Sequence, residues 1–172
     1  IRGVNFTSVY PATGVLPKDE KSLLAELTQI KNTGFNLIKS GGVPLSDAAL
    51  DICDSLGLFV IQEMPIYTQR ASKNALELAK LFIEKIIEHQ QTHPSIFAWS
   101  LGSDNGTLML ENGTKLLKHA DEFDETRVVF SNLNSVYIDC EGEFKSDTGK
   151  ILGVTHEKVS MYNSHKILPK MN

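Results

Sequence analysis

Only 2 cysteines occur in 172 residues, Cys53 and Cys140, too few and too far apart for a disulfide scaffold or a cysteine-based zinc site. Both are expected as free, buried thiols. No apolar run approaches the ~18 residues that span a bilayer, and no charged-then-apolar leader opens the sequence, so no membrane contact is expected. Positive charge is not clustered: 17 Lys and Arg against 21 Asp and Glu leave a net charge of -4, which excludes the electrostatic footprint of a nucleic-acid binder. No P-loop or dinucleotide glycine motif accompanies the first strand, and Gly41-Gly42 is too short to count as a phosphate loop. Trp99-Ser100-Leu101-Gly102 lacks the first glycine of a serine-hydrolase elbow, which leaves Ser100 as a strand residue. His89 and His93 stand one helical turn apart without the neighbouring acid of a zincin. No cofactor and no metal are expected. His156 and His165 stand alone, and sequons at Asn5, Asn105 and Asn112 carry no glycan assignment.

What remains is the composition of a soluble globular domain, 41% hydrophobic, with room for one sizeable core. Short apolar segments alternate with helical patterns. Ile1–Asn5 reads as a strand, and a helix follows from Pro17 to Gly34 with Leu23, Leu24, Leu27 and Ile30 on one face. Phe35–Lys39 is a second strand. A helix capped by Ser46 or Asp47 then presents Ala49, Leu50, Cys53 and Leu56 and stops at Gly57. Leu58–Ile61 is a third strand with Gln62 and Glu63 in the loop beyond it. Leu76, Ala79, Leu81, Ile83, Ile86 and Ile87 build the longest helix, running to His93. Ile96–Leu101 is a fourth strand, a helix from about Leu108 to Phe123 follows, and Arg127–Ser131 is a fifth strand. Val136–Asp139 and Phe144–Lys145 flank a turn like a hairpin inserted near 133–150, and Val159–Tyr162 resumes as a strand. Repeated strand-helix-strand units mean an α/β fold with a parallel sheet. Spacing alone leaves an open doubly wound sheet and a closed barrel both standing.

The stretch Thr92 to Gly106 organises the chain. Pro94 ends a helix, Ile96–Leu101 has the composition of a strand covered on both faces, and Gly102 opens a turn that carries Ser103, Asp104 and Asn105. Those three either cap the next helix or sit where parallel sheets bind ligands. The residues pooled at strand ends are Asn5, Lys39, Gln62, Glu63, Ser103, Asp104, Asn132, Asn134, Asn163 and His165. Two acids among several amides suit sugar recognition and glycoside chemistry, where one carboxyl protonates the leaving oxygen.

The residues resemble the catalytic barrel of glycoside hydrolase family 2, the beta-galactosidases, beta-glucuronidases and relatives. Four blocks carry the resemblance: Ile1–Asn5, Gly34–Lys39, Leu50–Glu63, and His93–Gly102 with its His-Pro-Ser-x-x-x-Trp-Ser-Leu-Gly run. The resemblance implies a partial (β/α)8 TIM barrel, roughly the first five to six strand-helix units, forming one domain over 1–172. It departs at functional positions. Where the family has Asn-Glu, with glutamate the acid/base, this chain has Ser103 and Asp104; Lys39 and Gly41 replace the family's Arg and His, and Gln62 its Asp. The implied site is Asp104 as candidate acid/base, with Asn5, Lys39, Gln62, Glu63, Ser103, Asn163 and His165 toward a beta-glycoside ligand.

A complete barrel takes ~250 residues, so this chain is expected to be part of a longer one. The missing barrel half and upstream beta-sandwich domains are its expected partners, and the isolated chain is expected to be inactive. Two functions follow: hydrolysis of O-glycosidic bonds in beta-linked saccharides by the full-length protein, or a pseudoenzyme barrel acting as a carbohydrate-binding or structural domain.

Overall fold

The computed structural model describes residues 1–7, 19–66, 74–102, 107–131, 136–138 and 144–146. Eleven elements follow in order: β1 Gly3–Phe6, α1 Glu20–Asn32, β2 Leu37–Ser40, α2 Asp47–Leu56, β3 Phe59–Glu63, α3 Ala75–Gln90, β4 Ile96–Ser100, α4 Thr107–Phe123, β5 Val128–Ser131, β6 Val136–Ile138 and β7 Phe144–Ser146. The strands form one sheet in chain order. The first four pairings are parallel. β6 and β7 then join antiparallel as the expected hairpin, with β6 paired directly to β5.

Local chemistry sets the helix ends. Asp19 accepts from the Ser22 amide at 3.0 Å to start α1, and Ser46 caps α2 through the Ala49 amide. Gly57 closes α2 at φ 63°, a left-handed conformation that glycine adopts without a Cβ penalty. The helix expected to reach His93 ends at Gln90, because Pro94 cannot donate and the Ser95 amide is taken by Asp54 at 2.8 Å. With 17 residues against 16, α4 rather than α3 is the longest helix among the described residues. Leu24 and Leu81, expected on core faces, are 46% and 50% exposed; they flank stripes centred on Leu23–Leu27 and Ala79–Ile83–Ile87.

The core answers the question that spacing left open. Buried residues of α1, α2, α3 and α4 join Ile38, Val60, Ile96, Trp99 and Val129 in a single cluster, so all four helices cover the same face of the sheet. The other face carries a smaller cluster of Ala98, Val128 and Phe130, flanked by Ile61 and Phe97. A doubly wound sheet places helices on both faces, and its strand order reverses at a switch point. Helices on one side and strands in unbroken order are the arrangement of a barrel wall. The register slips between Val60 and Ile61, which pair with Ile96 and Ala98. Phe97 is thereby the extra residue on β4, and it packs with Ala98 on the inner face.

Candidate active site

Side chains of register partners in a parallel sheet share a face. Asn5 pairs with Lys39 and Lys39 with Ile61, so an exposed amide and a buried ammonium stand side by side on the inner face. Two residues along β3, Glu63 returns to that face, and Lys39 Nζ forms an ion pair with its carboxylate. Both groups are buried, at 8% and 1% exposure; removing two charges from water at one strand end requires such pairing. Ser100 is the register partner of Glu63 on β4. It is fully buried, and its Oγ has no hydrogen-bond partner among the described residues. Asn5, Lys39, Glu63 and Ser100 are thus brought together at the carboxyl ends of four adjacent parallel strands.

Gln62 is not among them. β3 extends through Glu63 rather than stopping at Ile61, so alternation turns Gln62 to the helix side. Its Oε1 accepts from the Leu45 amide at 3.0 Å, and its Nε2 donates to Gln90 Oε1 at 2.7 Å and to Leu45 O at 3.1 Å. Gln90 in turn donates to Leu45 O and to Asp47 Oδ1. The two amides fasten the β2–α2 connection to α3.

Asp104, Ser103, Asn132, Asn134, Asn163 and His165 lie outside the described residues, as do Cys140, His156 and the expected strand at 159–162. The approach to Asp104 is described as far as Gly102. Its φ is 77°, and a Cβ there would stand 2.8 Å from the Ile66 carbonyl oxygen, so both conformation and space call for glycine. The Leu101 amide donates to Phe130 O at 2.8 Å. The chain leaving β4 is held between the segment after β3 and strand β5.

The residues around His93 and Trp99 form a second polar system. His93 Nδ1 lies 2.7 Å from Asp54 Oδ2, while His89 Nε2 faces Asp47 Oδ2 at 2.8 Å. Arg127 donates to the carbonyls of Gln91, His93 and Ile96 and to Asp124 Oδ2. Trp99 Nε1 donates to the same Asp124 oxygen at 2.8 Å. Burial pushes the Asp124 carboxyl up, yet hydrogen bonds from Thr126, Trp99 and Arg127, together with the guanidinium charge, hold it below the usual carboxylate range. Asp124 and Arg127 thus lock the turn before β4 to the start of β5. Cys53 is a free thiol within the core, pushed up to about 12 by burial and the nearby Asp54 charge, and is chemically quiet.

Sequence reasoning missed Ser100 and the Asp54–His93 and Asp124–Arg127 contacts. Ser100 was within reach of a strand alternation carried one register further. Asp54 and His93 lie 39 residues apart, and no spacing rule couples them.

The family model described as glycosyl hydrolases family 2, TIM barrel domain, matches residues 1–166. A beta-galactosidase of Yersinia enterocolitica is 31% identical over 114 residues, 62% of this chain and 11% of that protein. A beta-galactosidase of Leuconostoc mesenteroides is 29% identical over the same shares. Beta-glucuronidase 3 of Bacteroides uniformis superposes with a TM-score of 0.69 at 26% identity, covering 76% of this chain and 18% of the solved one. The beta-galacturonidase of Eisenbergiella tayi, solved bound to galacturonate, superposes at 0.67 with 20% identity over 75% of this chain and 24% of its own.

Proposed function

This chain belongs to glycosyl hydrolases family 2, TIM barrel domain, and from that membership we propose that the whole protein hydrolyses O-glycosidic bonds in beta-linked saccharides, with Asp104 as acid/base. The chain spans 11% of the length of the curated relatives it matches, so the activity belongs to the complete reading frame. The observation that carries the proposal is the buried Lys39–Glu63 pair beside Asn5 and Ser100 at the carboxyl ends of β1 to β4, the end where barrels of this kind work. Lys39 neutralises Glu63, so the floor is polar without net charge. Its exposed amide, Asn5, faces the ligand side, and the buried ammonium, carboxylate and hydroxyl behind it make the floor polar for sugar hydroxyls. Asp104 follows Gly102 at the end of β4. A carboxyl there protonates the leaving glycosidic oxygen, and its carboxylate form then activates water against the glycosyl intermediate. Ser103, Asn163 and His165 are proposed to complete the sugar contacts.

The test is Asp104→Asn in the product of the full reading frame. Turnover of substrates with poor leaving groups is expected to fall by about 10²–10⁴, while activated aryl glycosides lose less in the glycosylation step. Equal activity of variant and parent on both substrates removes Asp104 from the role. The non-catalytic reading draws on a separate observation: Asp is one methylene shorter than Glu, and a misplacement of ~1 Å costs about a hundredfold in rate. It expects saccharide binding by calorimetry without hydrolysis, even after Asp104→Glu. Hydrolysis by the unmodified protein ends it.

A further inference from the structure

On the helix side of the sheet, where the last turns of α2 meet the connection from α3 to β4, three ligating side chains converge. His93 Nδ1 stands 2.7 Å from Asp54 Oδ2 and 3.8 Å from Asp51 Oδ1, and one donor atom from each residue lies within 4.8 Å of the others. Donors around an ion at about 2.0–2.2 Å stand roughly 3–4 Å apart, so the separations need little adjustment to hold one. Two further observations favour a cation here. The last turn of α2 contains no basic residue of its own, and the Lys31 ammonium from α1 reaches only the Gly57 carbonyl, so the Asp54 carboxylate adds its charge to the negative end of the helix dipole, where a positive charge is stabilising. The Ser95 amide also fixes Asp54 through its other oxygen, Oδ1, at 2.8 Å. Such hydrogen bonds orient first-layer carboxylates at metal centres. Ser95 is itself buried, at 6% exposure.

We propose that Asp51, Asp54 and His93 bind one divalent transition ion of the zinc type, pinning α2 to the turn that leads into β4. An imidazole with two carboxylates suits zinc, cobalt or nickel better than calcium or magnesium, which prefer all-oxygen shells. Three protein ligands leave a position for water. Without an ion, the proton on Nδ1 points to Asp54. On binding, the neutral ring changes tautomer: its proton moves from Nδ1 to Nε2 by exchange with solvent, the freed Nδ1 lone pair goes to the ion, and no net proton is released. The site goes beyond the glycosidase reading and does not depend on it: it lies at the entry to β4, whereas Asp104 follows its exit.

The experiment titrates chelator-treated protein with Zn²⁺ and Co²⁺, following uptake by calorimetry, the visible absorption of bound Co²⁺ and the midpoint of urea unfolding. One ion per chain and a raised midpoint are expected. Asp51→Asn alters a side chain that is 73% exposed, so the metal-free midpoint should stay in place while affinity falls roughly tenfold or more. His89→Gln, whose ring faces Asp47 instead, should bind like the parent. Absence of saturable uptake overturns the proposal, as does full affinity in Asp51→Asn or its loss in His89→Gln.

Discussion

Asp124 shows how one side chain connects distant stretches of this chain. Its carboxylate is 5% exposed and receives Trp99 Nε1 from β4 and Arg127 Nη1 from the start of β5. Asn in its place keeps an acceptor but leaves the Arg127 guanidinium, itself largely buried, without its counter-charge. Asp124→Asn is expected to destabilise the fold by about 3 kcal/mol, the low end for breaking a buried pair, as read by urea unfolding at neutral pH. The pH dependence has a definite sign. The folded carboxyl is held below its ordinary value of 3.8, so it contributes stability above that value and loses it as pH falls through the lower folded one. The parent should therefore lose stability on acidification toward that range, and the gap between parent and Asp124→Asn should narrow. A gap independent of pH contradicts the assignment.

At the scale of elements, α2 is delimited by two residues that a reader of the sequence could find and one contact that could not be found. Ser46 opens the helix through the Ala49 amide at 3.4 Å and Gly57 closes it in the left-handed region; the Lys31 ammonium, from α1, donates to the Gly57 carbonyl at 2.9 Å. Ser46→Ala is expected to cost about 1 kcal/mol. Gly57→Ala should cost about 1–2 kcal/mol, because the nearest heavy atom to an added Cβ is Lys31 Nζ at 3.8 Å and conformation, not crowding, sets the effect. Urea midpoints of the two variants measure this directly, and a neutral Gly57→Ala removes the strain argument. Gly102 differs in kind, since a Cβ there also meets Ile66 backbone.

For the whole molecule, the unequal coverage of the two sheet faces is the main energetic fact. Ile83 and Leu50 are fully buried between the sheet and the helices, while Phe59 is 42% exposed on the opposite face, tilted against Phe97 at 5.7 Å. Ile83→Ala is expected to cost about 2–5 kcal/mol, as large-to-small changes do in a closed core. Phe59→Ala should cost about 1 kcal/mol, the scale of a single aromatic pair. Comparable losses at the two sites, by urea unfolding, mean that the inner face is more enclosed than the structure has it.

Much of this was legible in the sequence, for reasons that act locally. Alternating apolar segments, Pro94, Ser46, Gly57 and the His93–Gly102 run depend on propensity, capping and family pattern, each readable within a dozen residues. They led to five strands, four helices and a barrel of family 2. What tertiary structure decided is which way side chains point and what they meet. Extending β3 to Glu63 divides two adjacent residues between opposite faces, Gln62 to Leu45 and Gln90, Glu63 to Lys39. Helices on one side of the sheet, and the meeting of Asp51 and Asp54 with His93, likewise depend on segments far apart along the chain. Sequence periodicity specifies a face for each element; only packing specifies what that face touches.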